Sequence, residues 1–166
     1  MKKKPNGKVK AAGIVLFTSE PNKQFLLMKH ANRWDLPKGH CEPNETYLET
    51  ALRETEEETG ISPSTITIDA DFVFVLEYPV TYRRWGDEVF NKKVKYFLGH
   101  IKKRPKLKLT EHEGAQWFDW QPPHAIQEQT IDPLLEAIAA HFQAEAGEKK
   151  QSLGQTTQPF RNFPVE

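Results

Sequence analysis

The sequence predicts an α/β domain in which a mixed sheet is packed by two principal helices. Three observations carry that prediction. Short β-leaning apolar runs alternate along the chain with two stretches of helical periodicity. The 166 residues are enough for one domain with a core of its own. No internal repeat at a period of roughly 20–50 residues and no long linker divides them. One domain is therefore expected over residues 1–143, followed by a polar tail at 144–166.

The elements follow in order. The first ten residues hold five lysines and no acid, which reads as a solvated basic arm. Ala11–Thr18 and Gln24–Lys29 are strand-like runs, and the intervening SEPNK reads as a hairpin turn. A loop bearing Pro and Gly leads to a helix expected over Glu45–Thr59, with Gly60 as its C-cap. Ile66–Tyr78 and Val94–Ile101 read as strands on either side of a polar, aromatic-bearing loop, and Ala115–Trp120 as a last strand. In Pro133–Phe142 the residues Leu134, Leu135, Ile138 and Phe142 recur at helical spacing. Beyond Phe142 the chain is polar and poor in aliphatic residues, so a flexible tail is expected. Its aromatic tip, Phe160, Phe163 and Pro164, suits docking on the domain or on a partner.

Composition excludes several classes. No apolar run approaches the ~18–20 residues that span a bilayer, so no membrane partner is expected. The basic start lacks the apolar segment of a secretory signal. A single cysteine, Cys41, excludes an internal disulfide and a Cys-rich zinc site and suits a reducing compartment, which predicts a cytoplasmic location. The 23 Lys+Arg balance 23 Asp+Glu, which argues against a surface that binds nucleic acid all over. That zero is a cancellation by segment: Cys41–Glu58 holds seven acids against Arg53, whereas Arg83–Lys108 holds ten bases against two acids. An acidic cradle facing a basic flank is the expected arrangement.

The informative stretch is GHCEPNETYLETALRETEEETGI, Gly39 to Ile61. At about 100° per helical residue, Leu48, Ala51, Leu52 and Thr55 share one stripe fit for burial. Glu54, Glu57 and Glu58 gather on another side at i, i+3, i+4, where like charges repel. A hard divalent cation relieves such a cluster, although an acidic run taken alone is more often solvated surface. The frame around it decides. Gly39, Glu45, Arg53, Glu54, Glu57, Glu58, Gly60 and Ile61 stand in the register G-x5-E-x7-R-E-U-x-E-E-x-G-U, U being a bulky apolar residue, and so this segment resembles the box of the Nudix hydrolase family. Two positions depart from it. Thr55 stands where an aliphatic residue is usual, and Asn44 where many relatives place Gly, although Asn tolerates left-handed backbone.

The resemblance implies a Nudix fold, an α/β/α sandwich around a mixed sheet, that hydrolyses a nucleoside diphosphate linked to another moiety with Mg²⁺ or Mn²⁺. Carried onto this chain, Glu54, Glu57 and Glu58 are metal ligands or the base, with the proton assigned to Glu54. The carbonyl of Gly39 is a further ligand. Arg53 orients the carboxylates, Glu45 holds the loop and helix start, and Gly60 closes the helix.

Trp34-Asp-Leu-Pro-Lys-Gly-His40 is similar to the asymmetrical diadenosine tetraphosphate hydrolases within that family, which implies Lys38 and His40 as contacts to the polyphosphate. LTEHEGAQWFDW resembles the same subgroup and implies Glu111 as a further metal ligand, ahead of Glu113; His112 is read as positional and left out of catalysis. Tyr82 and Tyr96 lie where these enzymes put stacking tyrosines, ordinary strand packing being as good a reading of Tyr96. The Arg83–Lys108 bases suit a tetraphosphate, or else guard a strand edge. Cys41 has no base partner in sequence and reads as small-residue packing. The expected reaction is asymmetrical hydrolysis of diadenosine tetraphosphate to ATP and AMP, a small-molecule reaction by a monomer. The alternatives are an oxidised nucleoside triphosphate, a nucleotide sugar or an RNA 5′ end, and, from another class, a non-catalytic nucleotide-sensing module.

Overall fold

The computed structural model of the chain describes residues 4–154, with the backbone alone for 150–154. By its internal contacts the chain divides into two units, Met1–Asp119 and Trp120–Glu166.

The first unit is built on one seven-stranded mixed sheet. β1 (Lys8–Glu20) and β2 (Gln24–Lys29) form the expected hairpin, antiparallel with Phe17 opposite Phe25. The two strands then part. β3 (Trp34–Asp35) adds to β2, and β4 (Lys38–His40) pairs with β1 from Ala11↔His40 to Gly13↔Lys38. The segment expected as plain loop therefore holds two short strands, because β1 leaves β2 and offers its backbone groups to the Pro-Lys-Gly-His turn. β5 (Thr67–Thr81) and β6 (Val89–Lys103) form a long antiparallel arm, continued past the expected ends by pairing as far as Thr81↔Val89. β6 runs parallel to β1 from Lys8↔Asn91 to Glu20↔Lys103, and β7 (Gly114–Asp119) closes antiparallel on β2.

The first helix, α1 (Tyr47–Thr59), starts two residues later than expected. Thr46 is its N-cap, accepting from the Glu49 N–H at 3.1 Å, and Asn44 takes the left-handed turn before it with φ 65°. Glu45 is thereby left outside the helix. At the other end Gly60, φ 77°, donates its N–H to the Glu56 carbonyl. Ala51 and Thr55 are fully buried, Leu48 and Leu52 half-buried. Ala51 packs with Ala12, Ile14, Leu16, Leu26, Met28, Ile61 and Ile101, the core between α1 and the sheet. Thr55 fills its aliphatic place without an orphaned hydroxyl, because Oγ1 donates to the Ala51 carbonyl at 2.7 Å.

In the second unit α2 spans Ile131–Gly154. Asp132 and Gln127 fasten its start: Asp132 Oδ1 accepts from the Ile126 and Gln127 N–H groups, and Gln127 Oε1 from those of Thr130 and Ile131. The helix runs on into the polar segment expected as a tail from residue 144, through QAEAGEKKQSLG, whose Ala, Glu, Gln, Lys and Leu favour helix without any apolar stripe; residues 155–166 lie outside the described residues. The aromatic tip at 160–164 lies outside the described residues. Among the described residues no helix is long and apolar enough to cross a membrane.

Candidate active site

The loop before α1 and the helix itself are tied together by Arg53. Its Nε donates to Glu45 Oε2 at 2.7 Å and its Nη2 to Glu45 Oε1 at 3.0 Å, a bidentate pair. Nη2 also reaches the His40 carbonyl at 3.0 Å, which ties β4 to the helix. Nη1 donates to Glu54 Oε1 at 2.9 Å and to Glu57 at 3.2 Å. This hydrogen bonding by Arg53, helped by the Thr50 hydroxyl, holds the Glu45 carboxyl down to about 2 despite its burial. Glu45 and Arg53 therefore stay charged together, and the expected orienting role of Arg53 has a geometry.

The three box glutamates do not have equivalent surroundings. The Glu57 side chain is 55% exposed, while those of Glu54 and Glu58 are 15% and 5% exposed. Glu58 is pushed up to about 8, first by burial and then by the Glu54 charge, although the Lys38 N–H donates to its Oε2 at 3.3 Å. Burial also raises Glu54, against the pull of Arg53. Glu111 adds its charge to both, arriving from a distant loop. That loop is stitched to α1 and β2: the Lys108 N–H donates to the Thr59 carbonyl, Thr110 Oγ1 to the Glu57 carbonyl, and the Glu113 N–H to the Lys29 carbonyl. Gly39 faces the same cluster, and a Cβ built on it would overlap the Glu54 carboxylate. Only glycine lets β4 and that carboxylate approach so closely.

Of the expected substrate contacts, Lys38 and His40 lie on β4, on either side of Gly39. Lys38 Nζ is 2.7 Å from Asp35 Oδ1, and Asp35 is 3.4 Å from His30 Nε2. His40 Nε2 meets the Tyr82 hydroxyl at 3.3 Å, bringing together two residues 42 positions apart. Tyr82 also packs against Trp85 and Phe90. Of the two readings of Tyr96, base stacking and strand packing, its burial favours packing. It is 2% exposed, because β6 alternation turns it inward between Gly13 and Phe74, and no ring face is left for a base.

The structure adds two residues that spacing did not flag. Lys92 is half-buried, its charge weakened by burial and by Lys38 while Asp35 favours it. Tyr78, 37% exposed, stands opposite it in the ladder. Period-2 alternation applied to β6 separates Lys92 from Lys93 and Lys95; that signal needed the register, which the sequence does not carry.

Glu54, Glu58 and Glu111 offer only hard oxygen donors and repel one another, and Gly39 lies against the Glu54 carboxylate. Oxygen donors of this kind are what a divalent cation such as Mg²⁺ or Mn²⁺ prefers, although the carboxylate oxygens of the three do not all lie within 4.8 Å of one another.

The comparisons agree with the geometry. The model of the NUDIX domain matches residues 7–142. The chain is 34% identical over 122 residues to the asymmetrical bis(5'-nucleosyl)-tetraphosphatase of Mus musculus, covering 66% of this chain and 78% of that protein. It is 28% identical over 122 residues to the RNA pyrophosphohydrolase of Erythrobacter litoralis, covering 66% and 72%. A solved binary complex of the Caenorhabditis elegans Ap4A hydrolase matches with a TM-score of 0.69 and 29% identity, over 81% of this chain and 98% of that one. A box in register, a mixed sheet with two helices and a family match over most of the length lead to one conclusion: the chain belongs to the Nudix family and is a Nudix hydrolase.

Proposed function

We propose that this Nudix pyrophosphohydrolase cleaves dinucleoside tetraphosphates asymmetrically, converting diadenosine tetraphosphate and water to ATP and AMP. The observation that carries this reading is that β4 sets Lys38 against the box, its N–H donating to Glu58 Oε2, while His40 on the same strand meets the Tyr82 hydroxyl. The 34% identity to an asymmetrical tetraphosphatase supports it. The match over residues 7–142 supports treating the two units as one functional domain.

In this reading Glu54, Glu58, Glu111 and the Gly39 carbonyl hold a divalent cation, with Glu57 at its exposed side. When bound, the cation lowers the pKa of water and offsets charge on the phosphates. Arg53 fixes the Glu54 carboxylate through Oε1, and in this reading that carboxylate also takes the proton of the attacking water. A new bond forms from that water to phosphorus as the bridging P–O bond breaks, and Lys38 and His40 bind the polyphosphate oxygens as they gain charge. Tyr82 holds His40 in place and offers a ring toward a base.

A second reading, removal of pyrophosphate from an RNA 5′ end, draws support from the RNA pyrophosphohydrolase relative. The deciding experiment incubates the purified protein and Mg²⁺ with dinucleoside polyphosphates, nucleoside triphosphates and 5′-triphosphorylated RNA and separates the products. ATP and AMP in equal amounts are expected from the tetraphosphate. ADP alone would mean symmetrical cleavage and overturn the proposal, and pyrophosphate released faster from RNA would favour the second reading.

A further inference from the structure

We propose that His112 is a positioning residue for Glu58, its Nδ1–H being the donor that steadies this carboxylate when a divalent cation is held at the site. The proposal rests on the reading of the Glu54, Glu58 and Glu111 cluster as a metal site.

Its sequence position, between two acids in a polar turn, makes His112 look like a surface residue. The structure places it inside: its side chain is 4% exposed, and the Glu58 side chain facing it is 5% exposed. Nδ1 of His112 has no hydrogen-bond partner among the described residues. The nearest acceptor charge is Glu58 Oε2, at 3.9 Å. That is about 1 Å beyond a normal N–H···O distance, so a small turn of the carboxylate completes the bond.

The ring cannot readily move away to find another partner. It lies against the His30 ring with centroids 4.5 Å apart and planes tilted by 56°. His30 is itself held toward Asp35 at 3.4 Å. The backbone on either side of His112 is pinned through Thr110 to α1 and through Glu113 to β2. A buried donor left unpaired is costly, and a buried carboxylate with only the 3.3 Å Lys38 N–H for a donor among the described residues is under-satisfied as well. Two such groups facing each other in a fixed frame relieve one another. Neighbours that orient a metal-ligating group set its affinity for the metal, which gives His112 a role without contact to substrate or cation.

The test titrates Mn²⁺ alone into the purified full-length protein without substrate and reads free Mn²⁺ by electron paramagnetic resonance. His112→Leu, similar in volume but without a donor, is expected to weaken Mn²⁺ binding about tenfold. His112→Asn puts an amide N–H close to the place of Nδ1 and is expected to stay within about threefold of wild type. Thermal unfolding without metal shows whether each variant folds; if His112→Leu does not, His112→Phe takes its place with the same expected weakening. Wild-type affinity in the donor-less variant, or an equal loss in His112→Asn, would overturn the proposal. Failure of the wild-type protein to bind Mn²⁺ would instead sink the metal site itself.

Discussion

The loop and helix from Gly39 to Gly60 and the β5–β6 arm each supply site residues, and they bring them in by different rules. In the first segment sequence spacing is spatial proximity. Arg53 reaches Glu57 one turn on, Glu54 beside it, and Glu45 and the His40 carbonyl in the preceding loop. In the arm, proximity depends on which strand pairs with which residue. Among the ten bases of Arg83–Lys108, those that neighbour one another on β6 are accordingly separated. Lys92 answers to Lys38 and Asp35, whereas Lys95 lies over the Tyr47 ring at 4.6 Å and Lys93 lies 3.8 Å from Glu77. Charge counted along a helix and its loop can predict a site, while charge counted along a strand is divided between two faces.

The largest expected effect tests the helical side. Glu58→Gln should lower kcat about 10³-fold, equivalent to about 4 kcal/mol, with circular dichroism unchanged. Glu57→Gln, on the exposed side, should also remove most turnover. A wild-type rate in either variant would remove the metal proposal from that residue.

Tyr96 tests the arm. If it is core, Tyr96→Ala costs about 3–4 kcal/mol in urea unfolding, and the folded fraction keeps its KM. A stable variant with a raised KM would return Tyr96 to the substrate and weaken the contrast drawn above.

Glu45→Gln cuts the link between loop and helix. Its 12% exposed carboxylate makes charge-assisted bonds, so a loss of about 2 kcal/mol is expected at neutral pH. The folded carboxyl sits at about 2, below its ordinary 4.5. Its stabilisation is therefore full above pH 4.5 and is lost as pH falls toward 2. Urea midpoints of wild type and variant should converge over that window, and a gap that persists at the acid end would show that lost packing, not charge, is responsible.

The smallest effect is at the join of the two regions. Tyr82→Phe removes the contact to His40 and should raise KM about twofold, in keeping with one long hydrogen bond. No change would confine the contact to holding the arm.

Much of the site was legible because a helix converts spacing into direction. The helix, the gathering of Glu54, Glu57 and Glu58 on one side of it and the Gly60 cap follow from residue type and interval, while the roles of those glutamates and of Arg53, and the turn at Asn44, come from the resemblance to the box. Lys38 and His40 were also legible, by resemblance and by adjacency to the box. The partners of those residues were not. Asp35 beside Lys38, Tyr78 opposite Lys92 and the burial of His112 depend on β1 separating from β2, on the parallel β1–β6 pairing and on the loop fastened at Glu57 and Lys29.

The sequence by itself determined the α/β class, the loop–helix that carries the carboxylates and the family to which they belong. The class and the loop–helix rest on local geometry, in which 3.6 residues make a turn and glycine permits close approach, and the family rests on the resemblance of the box. Only the tertiary structure decided which glutamates are buried, which tyrosine faces inward and where Glu111 and His112 arrive. Burial and strand register are made by contacts between residues far apart in the chain, and a side chain's charge and partners follow from those contacts.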